Sequence, residues 1–131
     1  ARRIFVGFRT VGTNGTSNKL IQLSTGGSFV TSGYSSTFAY FATGTASATS
    51  TQGFASRTVV ANEALSQLWI LVNIGNNIWV GSHAGGNPNR TEEYLGAASV
   101  ALGGTIDSLR ITTANGTDQY TAGTINVSWE S

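Results

Sequence analysis

The chain has 131 residues, a formal net charge of +1, 17 Gly, one Pro, and neither Cys nor Met. That length makes one ordinary domain, the near-zero charge gives no general pull toward phosphate backbones or anionic lipid, and the lack of Cys excludes a disulfide scaffold, thiol catalysis and Cys-based zinc sites. Only 10% of residues are charged while Ser and Thr make up about a quarter, so the surface is built from hydroxyls, amides and glycine around a core supplied by the 40% of hydrophobic residues.

No linker, charge block or repeat divides the sequence, and residues 1–131 read as a single domain. Ile4 to Arg9 alternates, with Ile4, Val6 and Phe8 on one face. Weaker strand patterns follow at Lys19 to Ser24, Ser28 to Tyr34, Thr37 to Thr43 and Phe54 to Val60, and Gly44 to Gln52 reads as a small-residue loop. Asn62 to Leu68 has an alternative reading as one helical turn. Leu65 to Ile74 and Ile78 to Ser82, separated by Gly75-Asn76-Asn77, form a hairpin expected to cross the core. Its run Leu68 to Val72 is the longest apolar stretch, far short of the roughly 20 residues of a membrane helix, so membrane insertion is not expected.

Tyr94 to Leu102 and Thr105 to Thr113 are further strands. Asn115-Gly116 then turns the chain into Asp118 to Ser128, and in the closing stretch Ile125 to Glu130 the side chains of Ile125, Val127 and Trp129 share a face. Eight or nine short strands and no substantial helix predict an all-β fold, a two-sheet antiparallel sandwich of jelly-roll type, with an irregular barrel as the alternative.

Residues suited to chemistry are sparse. His83, the one histidine, follows the predicted strand Ile78 to Ser82, and its neighbour Ser82 supplies no nucleophile because adjacent strand residues point to opposite faces. It reads as a polar loop residue. Glu92 and Glu93 are adjacent, whereas Glu63, Asp107, Asp118 and Glu130 are isolated in sequence, and their spacing gives no support to paired-carboxylate hydrolysis. These acids are expected to be solvated or to meet Arg57, Arg90 and Arg110. No calcium-loop pattern or phosphate-cradling glycine loop is present, so neither a metal nor another cofactor is expected. Trp69, Trp79 and Trp129 lie in strong strand patterns and are expected in the core. Tyr34, Tyr40, Tyr94 and Tyr120 lie nearer breaks, where a ring can present its face to a sugar.

The last third carries a recognisable run, from Ile106-Asp107-Ser108-Leu109-Arg110-Ile111-Thr112-Thr113 through Ala114-Asn115-Gly116-Thr117-Asp118-Gln119-Tyr120 to Ile125-Asn126-Val127-Ser128-Trp129-Glu130. It resembles the C-terminal signature of a β-sandwich module of bacteriophage virion proteins, especially tail-fibre and receptor-binding proteins. Gly26 to Tyr34 and the Ile74 to Val80 hairpin are similar more loosely. The sequence departs from the pattern at Tyr120, where Phe is commoner, at Thr121, where an acid is common, and near Trp129, where Tyr is common.

The resemblance implies a non-enzymatic module on the virion surface, homo-oligomeric and usually trimeric, that contacts host surface glycan or protein alongside other virion proteins. Tyr34, His83, Asn87, Asn89, Arg90 and Tyr94 are the candidate contacts, because they combine polar or aromatic chemistry with predicted loops. A capsid decoration or other structural virion protein is the alternative. An Ala start followed by Arg2 and Arg3 would suit a small gene product of that kind after Met removal. A glycan-degrading enzyme ranks last, and nucleic acid is not an expected partner. Low charge and many β-branched hydroxyl residues favour sheets that associate with one another.

Overall fold

The computed structural model describes residues 2–42 and 44–131. Eleven strands follow one another: β1 (Arg3–Thr13), β2 (Lys19–Thr25), β3 (Ser28–Phe29), β4 (Ser35–Phe41), β5 (Thr45–Ser50), β6 (Phe54–Ser56), β7 (Leu65–Asn73), β8 (Ile78–Asn87), β9 (Glu92–Ala101), β10 (Ile106–Thr113) and β11 (Tyr120–Glu130). Seven of them form one sheet in the order β11-β1-β7-β8-β9-β4-β5, and the second sheet places β10, β2 and β3 side by side with β6 also paired to β2. Every pairing is antiparallel.

Period-two patterning accounts for the central strands. In β7, Leu65, Gln67, Trp69 and Leu71 point inward while Leu68 and Ile70 point out, and in β1 the inward set is Ile4, Val6 and Phe8. The β7–β8 hairpin closes through Gly75, Asn76 and Asn77, all with positive φ, the conformation that Gly and Asn accept at least cost. Between the sheets lie Trp69, Trp79, Tyr34, Tyr94, Phe54 and Leu23, with edge-to-face contacts linking Tyr34 to Phe54 and Phe54 to Trp69. The chain crosses from the small sheet to the large one at Asn115–Asp118, where the Asn115 side-chain carbonyl accepts from the amides of Thr117 and Asp118.

The two-sheet antiparallel sandwich is as the sequence predicts, although eleven strands split seven and four where a simple jelly roll has eight. Four local expectations are corrected. Gly44 to Gln52 is largely strand β5, held by its ladder to β4 rather than by any large apolar side chain of its own. Ser28 to Tyr34 and Phe54 to Val60 keep only the short strands β3 and β6. Asn62 to Leu68 makes a turn at Asn62, with positive φ, and then enters β7 without helix. The predicted loop after Ser82 is strand through Asn87. The expected strand end at Thr43 lies outside the described residues.

Trp69 and Trp79 are core residues, but Trp129 is not. It pairs with Ile4 on the inward side of the edge strand β11, where the smaller sheet does not reach, and is 50% exposed.

Candidate functional site

The structure separates the six candidate contacts into buried and exposed groups. Tyr34, expected on a loop surface, lies in the core, where its hydroxyl accepts from the Leu23 amide at 2.9 Å and donates to the Val30 carbonyl at 2.9 Å. Both hydroxyl functions are thereby used to join chain segments, and burial raises the phenol's pKa. His83 is also corrected: it points inward from β8, its ring 4.3 Å from that of Trp69, with neither ring nitrogen hydrogen-bonded. Burial pushes its pKa down to about 4, and the Ala55 backbone opposes this only in part.

Asn87 and Tyr94 are buried as well, at the far end of β8 and near the start of β9. Asn87 serves the hairpin: its side-chain carbonyl accepts from the Asn89 amide and its backbone carbonyl from the Arg90 amide. Tyr94 sits at the middle of a chain of ionisable side chains, with a buried carboxylate on each side and a cation at each end. Lys19 Nζ donates to Glu63 Oε1 at 2.5 Å and to Thr58 Oγ1 at 2.8 Å. The Tyr94 hydroxyl lies 3.3 Å from Glu63 Oε2 and 3.2 Å from Glu92 Oε1, and Arg90 Nε donates to that same Glu92 oxygen at 2.9 Å.

Two cations, two carboxylates and a phenol thus connect β2, the segment before β7, and the β8–β9 tip. Burial lowers the pKa of Lys19 against the opposing pull of Glu63, and raises that of Tyr94 together with the charge of Glu63.

Asn89 and Arg90 remain at the surface as expected, on the turn between β8 and β9. Arg90 borders a recess of about 640 Å3 that also includes Phe41, Ala42, Thr91, Glu92 and Glu93. Phe41 is 39% exposed and lies beside Glu93 in the β4–β9 ladder. An open aromatic ring with a guanidinium and a carboxylate at its margin can stack on a sugar and hydrogen-bond its hydroxyls. Sequence reasoning missed Phe41 because it ends a strand pattern like any core residue; its outward phase relative to Phe38 was the available signal. It also missed Glu63, whose partner Lys19 is 44 residues away.

The remaining acids are tied to structure. Asp107 has its pKa lowered by the Ser24 side chain and the Gly27 amide, and Asp118 by the Asn115 side chain and the Ser17 amide. Arg57 stacks over Tyr40, and Arg110 over Phe29 while donating to Gln22. In the C-terminal run, Tyr120 donates to the Thr112 carbonyl at 2.7 Å, so the aromatic of that run fastens the inter-sheet corner. Among the described residues, no three of His, Asp and Glu gather into a metal-binding group.

A second surface has no counterpart among the six candidates. The outer face of the seven-stranded sheet bears Phe41, Leu68, Ile70, Ile78, Val80 and Leu95, which are six of the nine large hydrophobic residues exposed among the described residues. A trough of about 790 Å3 runs between Leu68 and Ile70 on one side and Leu95 on the other, with Ser82 and Ala84 in its floor. Comparison with protein-family models, with curated proteins and with solved structures finds no match to this chain.

Proposed function

We propose that this chain is a non-enzymatic bacteriophage virion protein, a tail-fibre or receptor-binding module on the particle surface that contacts host surface glycan or protein. The observation that carries a contact role is the β8–β9 tip, where Arg90 and Glu93 border the recess that holds the open ring of Phe41 and Asn89 lies exposed on the adjoining turn. Phe41 offers a stacking face, and the three polar side chains offer donors and acceptors suited to sugar hydroxyls or a peptide. The run of ionisable side chains from Lys19 to Arg90 supports this by fixing the tip before a partner arrives, which reduces the ordering cost of binding. A binding role is favoured over glycan cleavage because Glu63 and Glu92 are buried and ion-paired with Lys19 and Arg90, and of the two only Glu92 borders the recess.

The phage setting rests on the resemblance in the last third of the chain. A structural virion protein is the second reading, favoured by the apolar outer face of the large sheet. Particles carrying Phe41→Ala, Asn89→Ala and Arg90→Ala together test the first reading. Host adsorption is expected to slow by about tenfold or more, in line with hot-spot residues worth over about 1 kcal/mol each. Unchanged adsorption, with the protein located by cryo-electron microscopy across the head lattice, would replace attachment with decoration.

A further inference from the structure

We infer that the outer face of the seven-stranded sheet is covered by a second copy of this chain, packed face to face about a two-fold axis that runs parallel to the strands between β7 and β8. The inference goes beyond the contact role of the tip and shares with it the row of Glu93 and Phe41, which falls at the rim of the interface. It starts from the ladder registers. One row across the outer face reads Gly7, Leu68, Ala84, Leu95 on β1, β7, β8 and β9, and the next reads Phe5, Ile70, Ser82, Ala97. A two-fold between β7 and β8 reverses each row upon itself. Leu68 then meets Ala84 of the second copy and Leu95 meets Gly7; in the other row Ile70 meets Ser82 and Phe5 meets Ala97. Every large side chain in these rows faces a small one, the size complementarity that face-to-face sheets need to interdigitate at a separation of about 10 Å.

Charge follows the same symmetry. The next row outward runs from Ser66 through Gly86 to Glu93 on β9, and Arg9 lies beside Ser66 in the bulge that β1 makes between Phe8 and Val11. Neither Arg9 nor Glu93 has an ion-pair partner in its own chain among the described residues. The two-fold sets Arg9 of each copy across from Glu93 of the other, giving two symmetric pairs at the rim of an apolar centre. Arg3, at the opposite end of β1, is already neutralised by Glu130 at 2.7 Å. Sheet twist of roughly 30° moves positions about 7 Å from the axis by under about 4 Å, which lies within the reach of Arg and Glu side chains.

The area is sufficient. Six strands, β11 to β4 in sheet order, lie symmetrically about this axis and only β5 overhangs. At about 4.8 Å between strands and about 3.3 Å per residue over Arg3–Arg9, they project about 660 Å2 per copy, or about 1,300 Å2 for the pair, above the roughly 1,000 Å2 expected of a specific interface. An isologous face of this kind closes at two copies and does not generate the trimer that the resemblance implies.

Sedimentation velocity on the purified full chain, without any ligand, tests the inference. The expected species has twice the 13.6 kDa mass of one chain. Arg9→Glu and Glu93→Arg are each expected to raise the dissociation constant by about tenfold or more, and the double reversal to restore it to within about threefold of the parent. Ala84→Trp, which puts a large side chain under Leu68, is expected to give monomer with an unchanged far-ultraviolet spectrum. Should that variant fail to fold, the charge reversals, both at exposed positions, carry the test. A monomer at near-millimolar concentration, a trimer, or a dimer indifferent to the charge reversals would overturn it. None of these outcomes depends on whether the tip binds a host surface.

Discussion

Gly96 lies directly across the β8–β9 ladder from His83, and the side chain it lacks is what makes room for the imidazole. A Cβ at position 96 would stand 2.3 Å from His83 Nε2 and 3.0 Å from the Phe38 Cβ. On the other side of His83 the ladder brings Trp69, so the ring is held between an indole and a bare backbone. Gly96→Ala therefore cannot be absorbed by a small rotation. It is expected to destabilise the fold by roughly 1–3 kcal/mol, the usual cost of overpacking a core. Thermal unfolding checks this, and His83→Ala in the same background is expected to recover part of the loss.

The buried imidazole also makes stability depend on pH. Its pKa falls from 6.5 to about 4 on folding because burial disfavours the charged form. The unfolded chain therefore binds the proton more readily, and stability is at its full value above pH 6.5. It is lost progressively as pH drops from 6.5 toward 4 and levels off below that, by up to about 3 kcal/mol for this one group. Denaturant titrations across that window should show the fall in the parent and a flatter profile in His83→Leu. An equally steep fall in both chains would assign the dependence to other groups.

The sequence tells more about faces than about coverage. Alternation in Ile4 to Phe8 and Leu65 to Leu71 correctly sets which side chains point inward. It gives Trp129 the inward phase as well, but phase carries no information on whether the opposite sheet extends that far. Glycine misled the reading of His83. Gly85 and Gly86 read as loop, yet Gly85 is a strand residue whose Cβ would lie 2.2 Å from the Ser66 carbonyl oxygen. Gly within a strand can mark close backbone approach as well as a turn. The Lys19–Glu63 pair was illegible for a different reason, since its members meet only once β2 and the segment before β7 are packed together.

Tyr94 links the core to the exposed tip, which makes Tyr94→Phe a test of how the tip is held. The change removes a hydroxyl that contacts both Glu63 and Glu92 while keeping the ring in place. Each carboxylate retains its cation, so the expected loss is about 1–3 kcal/mol rather than collapse. The local consequence is the more telling one. Amide exchange at Asn89 and Arg90, whose N–H groups donate to Asn87, should accelerate beyond the global change. Protection altered only in step with overall stability would mean that the hairpin turn holds itself.

The Lys19–Glu63 pair should show the asymmetry between breaking a buried ion pair and replacing it. Both side chains are essentially inaccessible, and each has a further neutral partner, Thr58 for the ammonium and Tyr94 for the carboxylate. Glu63→Gln leaves the ammonium in the core without its counter-charge, at an expected cost of about 3–5 kcal/mol near neutral pH. Burial already lowers the Lys19 pKa, and loss of Glu63 lowers it further. The folded variant then binds its proton less readily than the unfolded chain does. Its deficit relative to the parent should narrow as pH rises toward the unfolded lysine value of 10.5. Lys19→Met with Glu63→Leu removes both charges and is expected to be close to neutral in stability. If the double variant is stable but its Asn89 and Arg90 amides exchange faster, the pair serves chiefly to position Tyr94 beneath the tip; if their protection is unchanged, Glu92 and Arg90 suffice to hold it.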